Sequence, residues 1–175
     1  MPIPPRTRWQ AVGATLRLTS ATALAIDAYT HADLATRYAA NKSPGTLSQG
    51  DLFHIESGLA SLAALLVILG SRREIWAFAT LVAGSALAAI TISANYDIGS
   101  IGPIPDMYEP LWYPEKTLTA GAEAIATGLA LIGFVLAPKI AHRPTAHSKR
   151  HQRQVDQIPA GVSESLRKRR GPTRS

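Results

Sequence analysis

Residues Ile75–Ala94 read IWAFATLVAGSALAAITISA, 20 residues without one charged side chain. That length matches the roughly 20 residues that an α-helix needs to cross a hydrocarbon core of about 30 Å. Apolar and polar residues do not alternate along it, which excludes a barrel strand. Similar runs lie on either side. Leu52–Leu69 opens with His54 and Glu56 and is uncharged from Ser57 to Gly70, while Thr117–Ala137 is broken only by Glu123. Trp9–Ile26 is weaker, because Arg17 divides it and Thr and Ser recur.

The expected fold is therefore all-α: a polytopic transmembrane four-helix bundle in residues 1–137, with spans near 9–30, 52–70, 75–96 and 115–137. A signal peptide cleaved at Ala23-Leu24-Ala25 is the competing reading of residues 1–25. Thr19, Ser20 and Thr22 break its apolar stretch, which favours a retained helix. Asp51 is the expected N-cap of the second span, Pro114 fits the first turn of the fourth, and Pro138 fits its end. Small residues recur four apart at Ser57/Ser61, Ala60/Ala64, Gly84/Ala88 and Ala120/Ala124/Gly128. Such ridges let helix backbones approach closely in lipid.

Charge sets the orientation. Residues 1–137 hold 8 Lys/Arg and 10 Asp/Glu, whereas residues 138–175 hold 10 and 2. The overall +6 is thus a slightly acidic body plus a basic tail, expected to be disordered. One side of the membrane collects Arg6, Arg8, Arg17, Arg72, Arg73 and the ten tail residues, and the other only Arg37, Lys42 and Lys116. Both termini are accordingly expected in the cytoplasm, in a multi-pass protein of the plasma membrane. Trp9 and Trp76 would mark the inner boundary; Tyr29, Phe53, Tyr96, Trp112 and Tyr113 would mark the outer. Arg167-Lys168-Arg169-Arg170 could hold anionic lipid head groups, or simply fix topology. Without interleaved aromatics the tail is a poor nucleic-acid binder. The absence of Cys excludes disulfides and thiolate chemistry.

Polar groups gather at the outer end. The segment Asn95–Glu123, NYDIGSIGPIPDMYEPLWYPEKTLTAGAE, holds five acids against one base and is stiffened by Pro103, Pro105, Pro110 and Pro114. Asp27 and His31 are four apart and share a face on a continuing helix. His31, Asp33, His54, Glu56, Asp97 and Glu123 are the expected lining of one outward-facing pocket, roofed by Met107–Tyr113. Such a pocket suits a small ligand, a proton or a divalent metal, with His31, His54 and Glu56 as candidate ligands for Zn, Mn, Fe or Cu(II). His54 and Glu56, two apart on a helix, point about 200° from each other, which opposes a shared ion. Arg17 and Glu123 are the expected intramembrane ion pair. No dinucleotide-binding Gly loop, G-x-S-x-G elbow or HExxH is present, so a non-enzymatic protein is favoured. The alternatives are a structural subunit packing against a copy of itself or another membrane protein, and a membrane redox enzyme.

The segment GPIPDMYEPLWYPEKTL, the following AGAEAIA, and HIESG at the start of the second span resemble a group of small, uncharacterised four-helix integral membrane proteins of actinobacteria. The resemblance covers residues 27–137 and implies a four-span plasma-membrane protein, with no activity attached. Similarity to DoxX-like four-helix proteins is one of architecture alone.

The orientation makes a direct prediction. A reporter active only in the cytoplasm should work when fused after Ser175 and fail when inserted at Gly45 or Gly99. Activity at Gly45 would reverse the topology.

Overall fold

The computed structural model describes residues 5–140. The tail, with Arg167, Lys168, Arg169 and Arg170, lies outside the described residues. Along the described chain run four helices, α1 (Pro5–Arg37), α2 (Gln49–Leu69), α3 (Arg73–Asn95) and α4 (Pro114–Ile140). Each packs on its chain neighbours, and α4 returns to α1, so the four close into a ring. Three of them, α2, α3 and α4, are long and apolar enough to cross a membrane. Helix α1 is the longest at 33 residues but carries Arg8, Arg17, Asp27, His31, Asp33 and Arg37 along its length.

Local chemistry explains the boundaries. Helix α2 starts earlier than Asp51 would allow as N-cap. Ser48 takes that role: its hydroxyl accepts from the Asp51 amide at 3.0 Å, and the Asp51 carboxylate accepts from the Ser48 amide at 3.0 Å. This reciprocal box satisfies two amides that a helix start otherwise leaves open. Helix α1 does not stop near residue 30 but continues to Arg37, with an Asp33–Arg37 pair at 2.8 Å on its last turn. The chain then turns through Ser43-Pro44-Gly45, where Gly45 takes φ 79°. Pro114 opens α4, whereas Pro138 lies inside its last turn.

The bundle is small inside and large outside. Ala60, Ala63, Ala79, Ala83, Ala126 and Ala130 are buried, while Leu62, Leu65, Leu69, Leu81, Ile125 and Val135 are exposed. A water-soluble bundle buries its large apolar side chains. Here they form the outer surface of helices whose backbones touch through small residues, as lipid-exposed helices do. Of the expected ridges, Ala60/Ala64 faces inward, whereas Ala88, Ala124 and Gly128 face outward. The inward side of α4 is instead Thr119, Ala122, Glu123, Ala126, Ala130, Gly133 and Ala137.

Trp76 is core rather than interfacial. It is fully buried and lies on Gly133, where an added Cβ would meet an indole carbon at 2.3 Å. Arg73 stacks over Phe134 at 4.1 Å beside it. Gly133→Ala should therefore destabilise the protein by about 1–3 kcal/mol, the usual cost of overpacking. Gly128→Ala, where a Cβ meets nothing within 4 Å, should be neutral or slightly stabilising. Melting both variants in detergent tests the pair; equal effects would refute the Trp76–Gly133 seat.

Candidate functional site

The C-terminal turns of α1 and α3 and the N-terminal turns of α2 and α4 meet at one end of the ring. The 96–113 loop covers that end. It is fastened by Glu109 N–H to the Ser93 carbonyl at 2.9 Å, the Gln49 side-chain amide to the Asp106 carbonyl at 2.7 Å, and Leu47 N–H to the Pro103 carbonyl at 2.9 Å. Lys116, buried under the loop, donates to the Glu109 carbonyl, with its ammonium 5.4 Å from the Trp112 ring centre. Tyr38 and Tyr113 join hydroxyls at 2.8 Å. Burial, and then that hydrogen bond, push the Tyr113 phenol above its ordinary range.

Beneath the loop lies a cavity of about 360 Å³. Met107, Glu109 and Tyr113, from the segment expected as a roof, line it together with Ile104. His31, Glu56 and Glu123 also line it; Leu52, Phe53 and Ile90 make apolar wall. Phe53 is thus a cavity wall rather than a boundary anchor, with its ring edge-on to His31 at 5.5 Å and to Tyr38 at 5.3 Å.

The ionisable groups cluster at the floor. Asp27 and Glu123 are fully buried and His31 is 7% exposed. One ligand atom from each of the three lies within 4.8 Å of the others. His31 Nδ1 is 3.1 Å from the Asp27 backbone carbonyl and 2.8 Å from Asp27 Oδ1. The contact to the carbonyl has hydrogen-bond geometry, whereas Oδ1 has no hydrogen-bond partner. A carbonyl only accepts, so Nδ1 carries a proton, and Nε2 is the ring nitrogen free of that bond. Nε2 looks toward Glu123 Oε1 at 3.8 Å. Both oxygens of Asp27, both of Glu123 and Oε1 of Glu56 are buried without a partner. The floor is thus rich in acceptors, with the His31 imidazole as the one ion-pairing group beside them among the described residues.

The other sequence candidates lie elsewhere. His54 is exposed, and its Nδ1–H donates to the Gly50 carbonyl at 3.1 Å. Glu56 takes the inward side of α2 and His54 the outward side, as a 200° separation requires. The set His31, His54 and Glu56 is therefore not gathered; Asp27 and Glu123 stand with His31 instead. Asp33 pairs with Arg37 on the surface, and Asp97 is exposed in the loop. The Arg17–Glu123 ion pair is not formed. Glu123 lies at the level of Asp27 and His31, and Arg17 is ten residues earlier on α1, about 15 Å along the axis. Asp27 was visible in sequence through its i, i+4 spacing with His31. Nothing in the sequence marked Lys116 as buried.

The chain matches no protein-family model, no curated protein and no solved structure. The site stands on its own geometry.

Separation of Arg17 from the floor predicts additivity. Arg17→Gln and Glu123→Gln should each change the melting temperature, and the double variant should show the sum, with coupling within about 0.5 kcal/mol. A larger coupling would restore the ion pair.

Proposed function

We propose that this chain is a four-span plasma-membrane protein, with both termini in the cytoplasm, that binds a small amphiphile taken from the bilayer. The observation that carries this reading is the cavity: apolar walls, an acidic floor, and a wall formed by residues that are themselves exposed. Ile55 on α2 and Ser85 and Ala89 on α3 line the cavity and are exposed. Helices α2 and α3 share the sparsest contact of the ring. The mouth on this reading lies between them, in the outer half, on a side whose surroundings are Leu and Ile.

Size supports it, since ligand cavities start near 300 Å³. Chemistry selects the ligand. An alkyl body would lie against Leu52, Phe53 and Ile90. Its polar end would meet Glu56, which has a buried oxygen without a partner. An amine or another donor fits there; a carboxylate would face like charge and leave the acceptors open. The asymmetry of Lys/Arg supports the orientation, and the outward-facing large apolar side chains support the membrane. A second copy or a membrane partner, if one binds, has the outward Ala124 and Gly128 on α4 as its closest approach.

The full chain in detergent should be melted with octylamine, octanol and octanoate. Octylamine should stabilise it, by about 2.7 kcal/mol when free ligand is 100-fold above Kd, and octanoate should not. Glu56→Gln should remove the preference for the amine, and Ala89→Trp should block entry. Equal shifts from all three compounds, or an amine shift that survives both substitutions, would refute the reading.

A further inference from the structure

We propose that Asp27, His31 and Glu123 form a binding site for one first-row divalent metal ion, set in the floor beside the ligand cavity. The site shares the cavity floor with the amphiphile reading, whose polar anchor is Glu56, and the test below separates the two.

Four observations converge. First, the three residues come from two helices and are each at least nine-tenths buried. Glu123, 1% exposed in its side chain, turns Oε1 toward His31 Nε2 and has no partner for either oxygen. Second, the ring orientation is fixed. The Asp27 carbonyl accepts from Nδ1–H, which orients the ring and turns Nε2 toward Glu123, the arrangement in which a ligating histidine is held. Third, one ligand atom from each residue lies within 4.8 Å of the others, and an ion bound at about 2.0–2.2 Å would draw them together. Fourth, among the described residues the acids outnumber their one cationic partner, the His31 imidazole. Two carboxylates of the site and Glu56 gather without a Lys or Arg within 4 Å among the described residues. Lys116, the nearby cation among the cavity-lining residues, is turned up to the Glu109 carbonyl.

Carboxylates in excess of their cationic partners are costly in a low-dielectric interior. A divalent ion offsets two of them and fills lone pairs that the protein leaves empty. One imidazole and two carboxylates suit Mn, Fe, Co or Zn, and select against the purely oxygen-liganded Ca and Mg. Three protein ligands leave a coordination position open toward the cavity.

The chain has three further histidines, His142, His147 and His151, in its tail. The test therefore uses the full chain with these three changed to Ala, purified in detergent, stripped with chelator and dialysed against Zn²⁺ or Mn²⁺. The expected result is one ion per chain, with X-ray absorption at the zinc edge showing a single imidazole among oxygen ligands. Glu123→Gln and His31→Ala should weaken binding by more than the roughly 10–100-fold that loss of an outer partner costs, while His54→Ala should leave it unchanged. Should the first two variants fail to fold, the unsubstituted site still decides through its stoichiometry and imidazole count. No ion bound, two imidazoles in the shell, or loss on His54→Ala would each overturn the proposal. Absence of metal would mean that protons alone neutralise the floor, and amine binding would be unaffected by that outcome.

Discussion

The contact between small-residue helix faces is the constraint on which the rest of the bundle depends. Around Trp76, Ala79, Ala83, Ala126 and Ala130 the side chains are short, or seated on glycine, and the backbones close up. Toward the loop end the inward positions are His31, Phe53, Glu56, Thr119 and Glu123. These side chains surround a space that they do not fill, although α1 and α2 still close up at Gly50. That space is the cavity. It lies at the end where the inward positions are polar, and the loop closes over it through hydrogen bonds that do not involve the floor.

That arrangement concentrates an electrostatic problem. Lipid tails cannot solvate an ion, and the alanine-rich core supplies few dipoles. The threonine hydroxyls nearby are already bonded along their own helices: Thr30 to the Ile26 and Asp27 carbonyls, Thr119 to Glu115, Thr127 to Glu123. Apart from the His31 imidazole, these donors face away from the acids. A structure that merely tolerated buried carboxylates would be expected to turn Lys116 or a threonine hydroxyl toward them. This one turns them away, which separates the floor from an ordinary buried polar network.

Much of this was legible in the sequence, for physical reasons. Uncharged runs of about 20 residues force helices, and the Pro-rich acidic segment forces a loop between two of them. Glu123 inside an apolar run, and Asp27 four residues before His31, announced polar groups on inward faces. What the sequence did not contain was rotation. Two polar residues at the start of α2, His54 and Glu56, are equivalent in composition. Only the packing of α1 against α2, with Ser57 donating to the Ala28 carbonyl at 2.8 Å, decides that Glu56 turns in. The same ambiguity hid the inward side of α4, since Ala120/Ala124/Gly128 and Ala122/Ala126/Ala130 are both small. Trp76 looked like a boundary anchor because nothing local shows that Gly133, 57 residues later, leaves a seat for its ring.

Helix α1 completes the argument. It is the helix least able to dissolve in lipid alone, yet it supplies two of the three floor residues. Its inward face is held by α2 and α4, the two neighbours that also contribute Glu56 and Glu123. Gly50 shows how close the approach is: a Cβ there would meet the Ala35 carbonyl oxygen at 2.4 Å. Docking of α1 and assembly of the floor are therefore one event. Anything that neutralises Asp27 and Glu123 together removes the charge repulsion that opposes seating α1 beside α4. A cation in the floor would bind and hold the most polar helix in the ring, so occupancy and bundle closure are thermodynamically linked.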